Sequence, residues 1–360
     1  MFSVGLDVHQ KRSSVCILGE HGKKVKEFEV VGPWDKLIEE LAKLPRPMAV
    51  CFEASTGCGW LFDQIAPLAA RVEVAHPGRL RLIFQSKKKC DRVDAQKLAT
   101  LLFLDQVPRA YIPDAAVRAW RGLVEFRHAL VGKRTRCKNA LRTLLRGCGA
   151  QGLRPRKKGA WAKRGLELLR ELGLPSAQDR LRRDLLMDEL VQFDKQVKRV
   201  EAELDRIALD HPRGAGVSLL RTIPGVGPRT AEAVLAYVDK PERFGRNKQI
   251  GAYFGLVPCQ DDSGESGRLG HVTRQGPPAV RGLIVEAAWQ GIRRSATIRA
   301  YYEQVRQGKK ERNKIALVAT AHHLLRVMLA MLKSGEAWRE AEAKTPAAPA
   351  TREALTPAGA

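Results

Sequence analysis

The feature that most constrains this chain is the order of its N-terminal segments, short β-type runs that first follow one another and then alternate with helices. Ser3-Val4-Gly5-Leu6-Asp7-Val8-His9 is β-rich, and Ser13-Ser14-Val15-Cys16-Ile17-Leu18 follows the basic turn Gln10-Lys11-Arg12. Gly19-Glu20-His21-Gly22 makes a second turn before a third run, Val25 to Val31. Strands joined by turns this tight form a meander. Pro33 to Leu44 carries Leu37, Ile38, Leu41 and Leu44 on one helical stripe. Met48 to Glu53 reads as a buried strand ending in a carboxylate, residues 57–70 as a helix, and Val72 to Pro77 as another strand. The order β-β-β-α-β-α-β-α predicts an α/β domain over residues 1–114.

Acidic residues sit at telling places in that order. Asp7 lies on the first strand and Glu53 at the end of the fourth, while Asp91 and Asp94 open the helix after the fifth. Residues three apart share a helix face, and acids suit the positive end of the helix dipole, so capping alone would explain Asp91 and Asp94. Lys87, Lys88 and Lys89 stand directly before them. The element order is that of an RNase H-like sheet, in which carboxylates at adjacent strand ends and on a packed helix converge. Such groups can share two Mg²⁺ ions about 3.5–4 Å apart, and hard cations prefer oxygen ligands. Four carboxylates at the matching positions favour a metal site over caps. His9, two steps past Asp7, shares its strand face and is expected to be structural or substrate-facing rather than a ligand.

Three motifs, Gly5-Leu6-Asp7-Val8-His9, Phe52-Glu53-Ala54-Ser55 and Cys90-Asp91-Arg92-Val93-Asp94-Ala95, resemble the RuvC-like DEDD domain of the one-ten (IS110) family of bacterial insertion-sequence transposases. The family includes bridge-RNA-guided DNA recombinases. The resemblance implies that Asp7, Glu53, Asp91 and Asp94 are the metal ligands, with Mg²⁺, or Mn²⁺ in its place, as the cofactor.

Charge points to the same class of partner. Lys and Arg number 63 against 39 Asp and Glu, a formal net charge of +24, and such an excess implies a polyanionic partner, nucleic acid first. No 18-residue apolar run or N-terminal signal pattern is evident, which leads to an expectation of a soluble, cytoplasmic protein. Seven cysteines without a C-x-x-C pair argue against zinc and against a disulfide framework.

The basic excess concentrates in a middle region, residues 115–212. From Arg118 to Arg170 there are sixteen Lys/Arg and two acids, Glu125 and Glu167. Arg127, Lys133, Arg134, Arg136, Lys138, Arg142 and Arg146 share a periodic helix over residues 116–146 and are candidates for phosphate contact. Trp161, in an expected loop, can stack on a base or simply pack. Leu186, Leu190, Phe193, Val197, Val200, Leu204 and Ile207 follow in alternating steps of four and three, the spacing of a coiled-coil seam. Self-association is favoured over an intramolecular hairpin with the preceding helix, and in the family this region is a coiled coil that helps assemble protomers.

A mostly helical third region, residues 213–338, is expected to open with a helix-hairpin-helix, Leu219 to Ala231. There Gly225 and Gly227 would let the backbone approach a phosphate, with a hairpin used only for packing as the alternative. Phe244 to Ile284 is a second focus, and from its residues alone it reads as a glycine-rich polar loop running into an apolar helix that contains Arg281. It is similar to the family's transposase domain through Gly255-Leu256-Val257-Pro258, Ser263-Gly264, Leu269-Gly270 and Arg274-Gln275-Gly276. The resemblance implies that Ser263 is the nucleophile on a DNA phosphate, with Ser266-Gly267 a decoy; Arg268, Arg274 and Arg281 are candidate phosphate grips. His322 and His323, adjacent on a helix, diverge by about 100° and are read as structural. An Ala-, Pro- and Thr-rich stretch, counted as a tail over residues 339–360 and beginning near Trp338, is expected to be disordered.

The combined reading is a transposase or recombinase acting on donor and target DNA, with a noncoding bridge RNA and a homo-oligomer, a dimer of dimers, implied by the resemblance. The alternatives are a metal-dependent, junction-resolvase-like nuclease without a serine intermediate, and a nonenzymatic nucleic-acid-binding protein.

Overall fold

A computed structural model describes residues 1–83, 90–149, 159, 161–263 and 266–340, with backbone alone for the residues of the 261–269 segment that lie in strands. The chain forms two compact units, Met1–Ala119 and Trp120–Ala360. The middle and C-terminal regions therefore belong to one body, and the division falls inside a helix rather than before it.

The first unit follows the alternation read from the sequence. Its strands are β1 (Phe2–Val8), β2 (Arg12–Leu18), β3 (Lys24–Val31), β4 (Met48–Glu53) and β5 (Arg71–Ala75). They are joined by α1 (Trp34–Ala42) and α2 (Cys58–Ile65), and followed by α3 (Pro77–Ile83) and α4 (Asp91–Phe103). The sheet order is β3-β2-β1-β4-β5, antiparallel from β1 through β2 to β3 and parallel from β1 through β4 to β5. Strand alternation sorts the side chains into two layers. Val4, Leu6, Val15, Ile17, Met48, Val50, Phe52 and Val74 form one core with Leu37 and Leu41 of α1 and Leu61 and Ile65 of α2. On the other face Ala49, Cys51 and Ala75 pack with Leu98, Leu101 and Leu102 of α4. Beside them Cys16 and Leu18 meet Ala95 and Ala99.

That second layer is thin because its side chains are small, and one glycine sets the approach of α4. A Cβ on Gly5 would lie 2.1 Å from the Ala95 carbonyl oxygen and 2.3 Å from the Ala99 amide nitrogen. Only hydrogen at this position lets the helix backbone settle on β1.

Among its described residues, the second unit is helical apart from one ribbon. It contains most of α5 (Ala115–Gly147), then α6 (Lys163–Glu171), α7 (Ala177–Asp210), α8 (Ala215–Leu220), α9 (Pro228–Val238), α10 (Gln249–Tyr253), α11 (Pro278–Arg294), α12 (Ala296–Arg306) and α13 (Asn313–Ser334). β6 (Pro258–Ser263) and β7 (Ser266–Val272) pair antiparallel.

Helices α5 and α7 run antiparallel and pack together. Arg127 donates from Nε to Glu201 at 2.8 Å, Arg134 to Asp194 at 3.1 Å, and the Cys137 thiol to the Leu186 carbonyl at 2.8 Å. Leu190, with Leu186 and Phe193, joins Cys137, Leu141 and Leu145 in one cluster. Further along, Leu204, with Val200 and Ile207, joins Trp120 and Val124 in another. The seam read as a self-association surface is thus covered by the chain's own α5, the intramolecular hairpin that stood as the alternative. Heptad spacing specifies a stripe that needs a partner, not which helix supplies it.

Other expectations change for equally local reasons. Gly225, at φ +94, would place a Cβ 2.5 Å from the Gly291 nitrogen and 2.8 Å from the Ala287 carbonyl, so its lack of a side chain serves the packing of the α8–α9 turn on α11. Gly227 has open space around it. The polar stretch read as a loop is a β-ribbon whose base is clamped, Thr273 N–H donating to the Val257 carbonyl at 2.9 Å and Arg274 N–H to Gly255 at 3.2 Å. Gly255 and Gly276, both at positive φ, let the two arms cross, since a Cβ on either would meet backbone of the other arm within 2.3 Å. Trp338 N–H donates to Thr222 Oγ1 at 3.0 Å, and Glu340 accepts from Thr297 N–H at 3.1 Å, so order extends through the first residues of the expected tail; residues 341–360 lie outside the described part.

One helical stretch, Lys310–Ser334, is long and apolar enough to cross a membrane by length and composition, contrary to the sequence reading that no such run exists. Its Ala321, Leu324, Leu325, Met328 and Leu329 are buried in the core of the second unit, which accounts for the apolar character. His323 stacks on Tyr301 with ring centroids 4.1 Å apart, and His322 fills the space over Gly251. Both are packing residues, as expected. The seven cysteines are free thiols.

Candidate metal centre

Asp7 lies two residues past Gly5 on the strand face that receives α4, and Asp91 lies one turn before Ala95 on the helix that docks there. The close approach at Gly5 therefore carries over to the two carboxylates. Ligand atoms of Asp7, His9 and Asp91 all lie within 4.8 Å of one another. His9 Nε2 is 3.5 Å from Asp7 Oδ2 and 3.9 Å from Asp91 Oδ2. The Asp7 side chain is 17% exposed and that of Asp91 43%, which places the cluster at a rim open to a ligand rather than sealed in the core.

The other two members of the expected quartet are held differently. β1 and β4 are parallel with Leu6 opposite Phe52, and one further step sets Asp7 beside Glu53 at the same end of the sheet. Glu53 is exposed and is not among the three groups that cluster. Asp94 Oδ1 accepts a hydrogen bond from Lys97 Nζ at 2.9 Å, so a same-helix cation balances part of its charge. The structure thus brings Asp7 and Asp91 together, places Glu53 by register, and leaves Asp94 paired with Lys97. It adds His9, whose position two residues past Asp7 was the sequence signal for it.

The donor set fits a divalent cation. Two carboxylates from different elements would repel one another at this range without a positive charge between them, and their oxygens suit Mg²⁺ or Mn²⁺. An imidazole in such a set is more typical of Fe, Ni, Cu and Zn than of Mg²⁺ or Mn²⁺.

The expected nucleic-acid contacts divide in the same way. Arg127 and Arg134 are engaged by Glu201 and Asp194, and Lys138 and Arg142 lie over the Trp161 ring at 5.4 and 5.2 Å, so Trp161 packs rather than offering a free face. Burial lowers the Lys138 pKa from its usual value, with Arg134 adding to the effect. Lys133, Arg136 and Arg146 are exposed and make no ion pair among the described residues. Arg281 donates to the carbonyls of Gln275 at 2.5 Å and Gly276 at 3.0 Å, which makes it a brace for the segment after β7; burial, then Arg274, lowers its pKa. Arg274 is exposed. Lys87, Lys88 and Lys89 lie outside the described residues, as do the side chains of Ser263 and Arg268. The backbone alone puts Ser263 at the last position of β6, opposite Ser266 and about 17 Å along the ribbon from Pro258 at 3.3–3.4 Å per residue.

Comparison with known proteins defines the class. A DEDD-type transposase family model matches residues 4–149, and a second, described as the transposase IS116/IS110/IS902 family, matches residues 217–303. A Pseudomonas aeruginosa protein described as "Probable family 20 transposase" is 26% identical over 304 residues, 82% of this chain and 87% of its own. The transposase for insertion sequence element IS1111A of Coxiella burnetii is 26% identical over 288 residues, covering 79% of this chain and 76% of its own. That for element IS1328 of Yersinia enterocolitica is 24% identical over 293 residues, covering 79% and 82%. Two transposase modules in this order make the protein a transposase, whose substrates are DNA. The chain belongs to the IS110 family of insertion-sequence transposases, and its DEDD domain implies dependence on a divalent metal.

Proposed function

We propose that this transposase excises and inserts its element through a Mg²⁺-dependent centre on an RNase H-like, RuvC-like domain, with Ser263 as the nucleophile. The observation that carries the metal reading is the docking of α4 on Gly5, which sets Asp91 and Asp7 within 4.8 Å with His9. Asp7 and Asp91 would hold the cation, with Glu53 joining them from the adjacent strand end and Asp94, now paired with Lys97, available as a fourth carboxylate. A divalent cation bound there would supply Lewis-acid polarisation of a DNA phosphate and stabilisation of the leaving oxygen.

The serine reading rests on family resemblance at Ser263-Gly264 and on the place of Ser263 at the far end of a clamped ribbon. Its Oγ forms a bond to phosphorus as its hydroxyl proton passes to solvent, and the bond from phosphorus to the departing strand-end oxygen breaks, that oxygen taking up a proton and leaving as a hydroxyl. One phosphodiester is exchanged for another, so rejoining can proceed by the reverse step. Arg268 and Arg274 on the same ribbon and its base are the phosphate grips; Arg281 braces the base from behind. A bridge RNA that selects donor and target DNA, and a homo-oligomer, follow from the resemblance. A cytoplasmic site of action goes with a DNA substrate in a bacterium.

The test is strand cleavage on element-end DNA with RNA and Mg²⁺ supplied. Asp91→Asn should abolish cleavage. Ser263→Ala should abolish both cleavage and the covalent protein–DNA adduct while leaving Mn²⁺ binding intact. Cleavage retained by Ser263→Ala would instead select the metal-only, resolvase-like nuclease.

A further inference from the structure

Beside the carboxylate cluster, the first unit carries two tryptophans that neither core uses. Trp34 opens α1 and Trp60 lies in α2, their rings stacked with centroids 5.9 Å apart and planes 27° from parallel. Trp34 is fixed from two sides. Its Nε1–H donates to the His9 carbonyl at 3.1 Å, and its ring lies over Gly57, where a Cβ would come within 2.6 Å of the indole. Trp60 is 42% exposed. Tryptophan contributes most when its large apolar area is covered, and a pre-set aromatic pair left open to water marks a place that something covers.

With Gln10, Pro33 and Asp35, the two rings line an open cleft of about 470 Å³. Its walls are flat and aromatic and its rim is polar, which suits a planar heterocycle with hydrogen-bonding edges. The Gln10 amide both donates and accepts, and the Asp35 carboxylate accepts from an amino or imino group. Asp35 also repels a phosphate, so the cleft takes a base while the sugar–phosphate backbone passes the exposed Lys11 and Lys36. His9 ties this cleft to the cluster: its carbonyl holds Trp34, and its imidazole faces Asp7 and Asp91.

We propose that the Trp34–Trp60 cleft stacks one unpaired base of the DNA strand whose phosphate reacts at the Asp7–Asp91 cluster. The proposal rests on the metal-centre reading for the place of that phosphate, but not for the stacking itself. Aromatic stacking tolerates any base, so the cleft fixes the position of a strand already opened rather than reading its sequence. DNA is the occupant because the cleft belongs to the DEDD domain of a protein that cuts DNA.

The experiment titrates the full-length protein into a single-stranded oligodeoxynucleotide containing 2-aminopurine, with Ca²⁺ replacing Mg²⁺ to keep the strand uncut. Wild type should quench the 2-aminopurine fluorescence. Trp60→Ala should remove the quench and weaken binding about tenfold, the scale of one lost base stack, while Trp60→Phe restores most of both. A thermal melt shows that each variant is folded. Unchanged quenching and affinity in Trp60→Ala, or a Trp60-dependent effect seen with RNA of the same sequence and not with DNA, would overturn the proposal. Asp91→Asn, read for strand cleavage in a parallel reaction with Mg²⁺ in place of Ca²⁺, separates the two readings. A Trp60-dependent quench together with cleavage that ignores Asp91 would remove the metal centre and keep the base site; cleavage that needs Asp91 with a quench that ignores Trp60 would do the reverse.

Discussion

Replacing Gly5 by alanine adds one methyl group at the point where α4 rests on β1. That methyl would stand 2.1 Å from the Ala95 carbonyl oxygen and 2.3 Å from the Ala99 nitrogen, where ordinary contact begins at 3.4 Å. Helix backbone cannot turn aside as a side chain can, so α4 must retreat by about 1.3 Å to restore contact distance. Overpacking of this kind costs about 1–3 kcal/mol. The upper end applies when both opposing atoms are main chain, and for a unit of this size it lowers the melting temperature by about 10 °C. The retreat also draws Asp91 from Asp7, and a misplacement of about 1 Å at a reacting centre costs on the order of 100-fold in rate. Differential scanning calorimetry and single-turnover strand cleavage read the two effects. Adding Ala95→Gly should rescue neither, because the clash is with the Ala95 carbonyl and not its methyl. A Gly5→Ala protein with wild-type melting temperature and cleavage rate would refute the reasoning.

Two further outcomes follow from the second unit. Burial pushes the Glu232 carboxyl up to about 7 against a usual 4.5, with Arg229 opposing the shift from 3.0 Å away. Its folded state binds the proton more tightly than the unfolded chain, so this group's contribution is full below pH 4.5 and declines as pH rises through 7. Glu232→Gln should flatten that decline, which amounts to about 3 kcal/mol, in melts compared at pH 5 and pH 8. The exposed cations should bind phosphate and the paired one should not: Lys133→Ala with Arg136→Ala reduces the slope of log affinity against log salt by about 2. Arg127→Ala, which breaks the pair with Glu201, lowers stability and leaves the slope unchanged.

Much of the first unit was legible because its strands carry a period of two and its turns carry glycine. Asp7, Glu53 and Asp91 could be placed from element order alone, since order and parallel pairing put strand ends and the last helix on one edge. The reason for Gly5 was not legible: a glycine in a strand reads as punctuation, and only the position of α4 shows that its missing side chain sets the site. The heptad of α7 announced a stripe from Leu186 to Ile207, but periodicity does not name the covering helix. Residues 258–272 lack apolar alternation and so read as a loop; their ribbon is held instead by crossing glycines at its base. Arg281 looked like a phosphate ligand because a lone arginine near a polar segment cannot reveal that backbone carbonyls already face it. His9 was placed on the right face by spacing, though its approach to Asp91 required the docked helix.

The most direct test of the metal centre is anomalous diffraction from crystals of the full-length protein soaked in Mn²⁺. The expected result is a peak bonded to carboxylate oxygens of Asp7 and Asp91, lost in Asp91→Asn crystals grown the same way. Wild-type crystals with no peak between those two residues, or a peak that survives Asp91→Asn unchanged, would contradict the assignment.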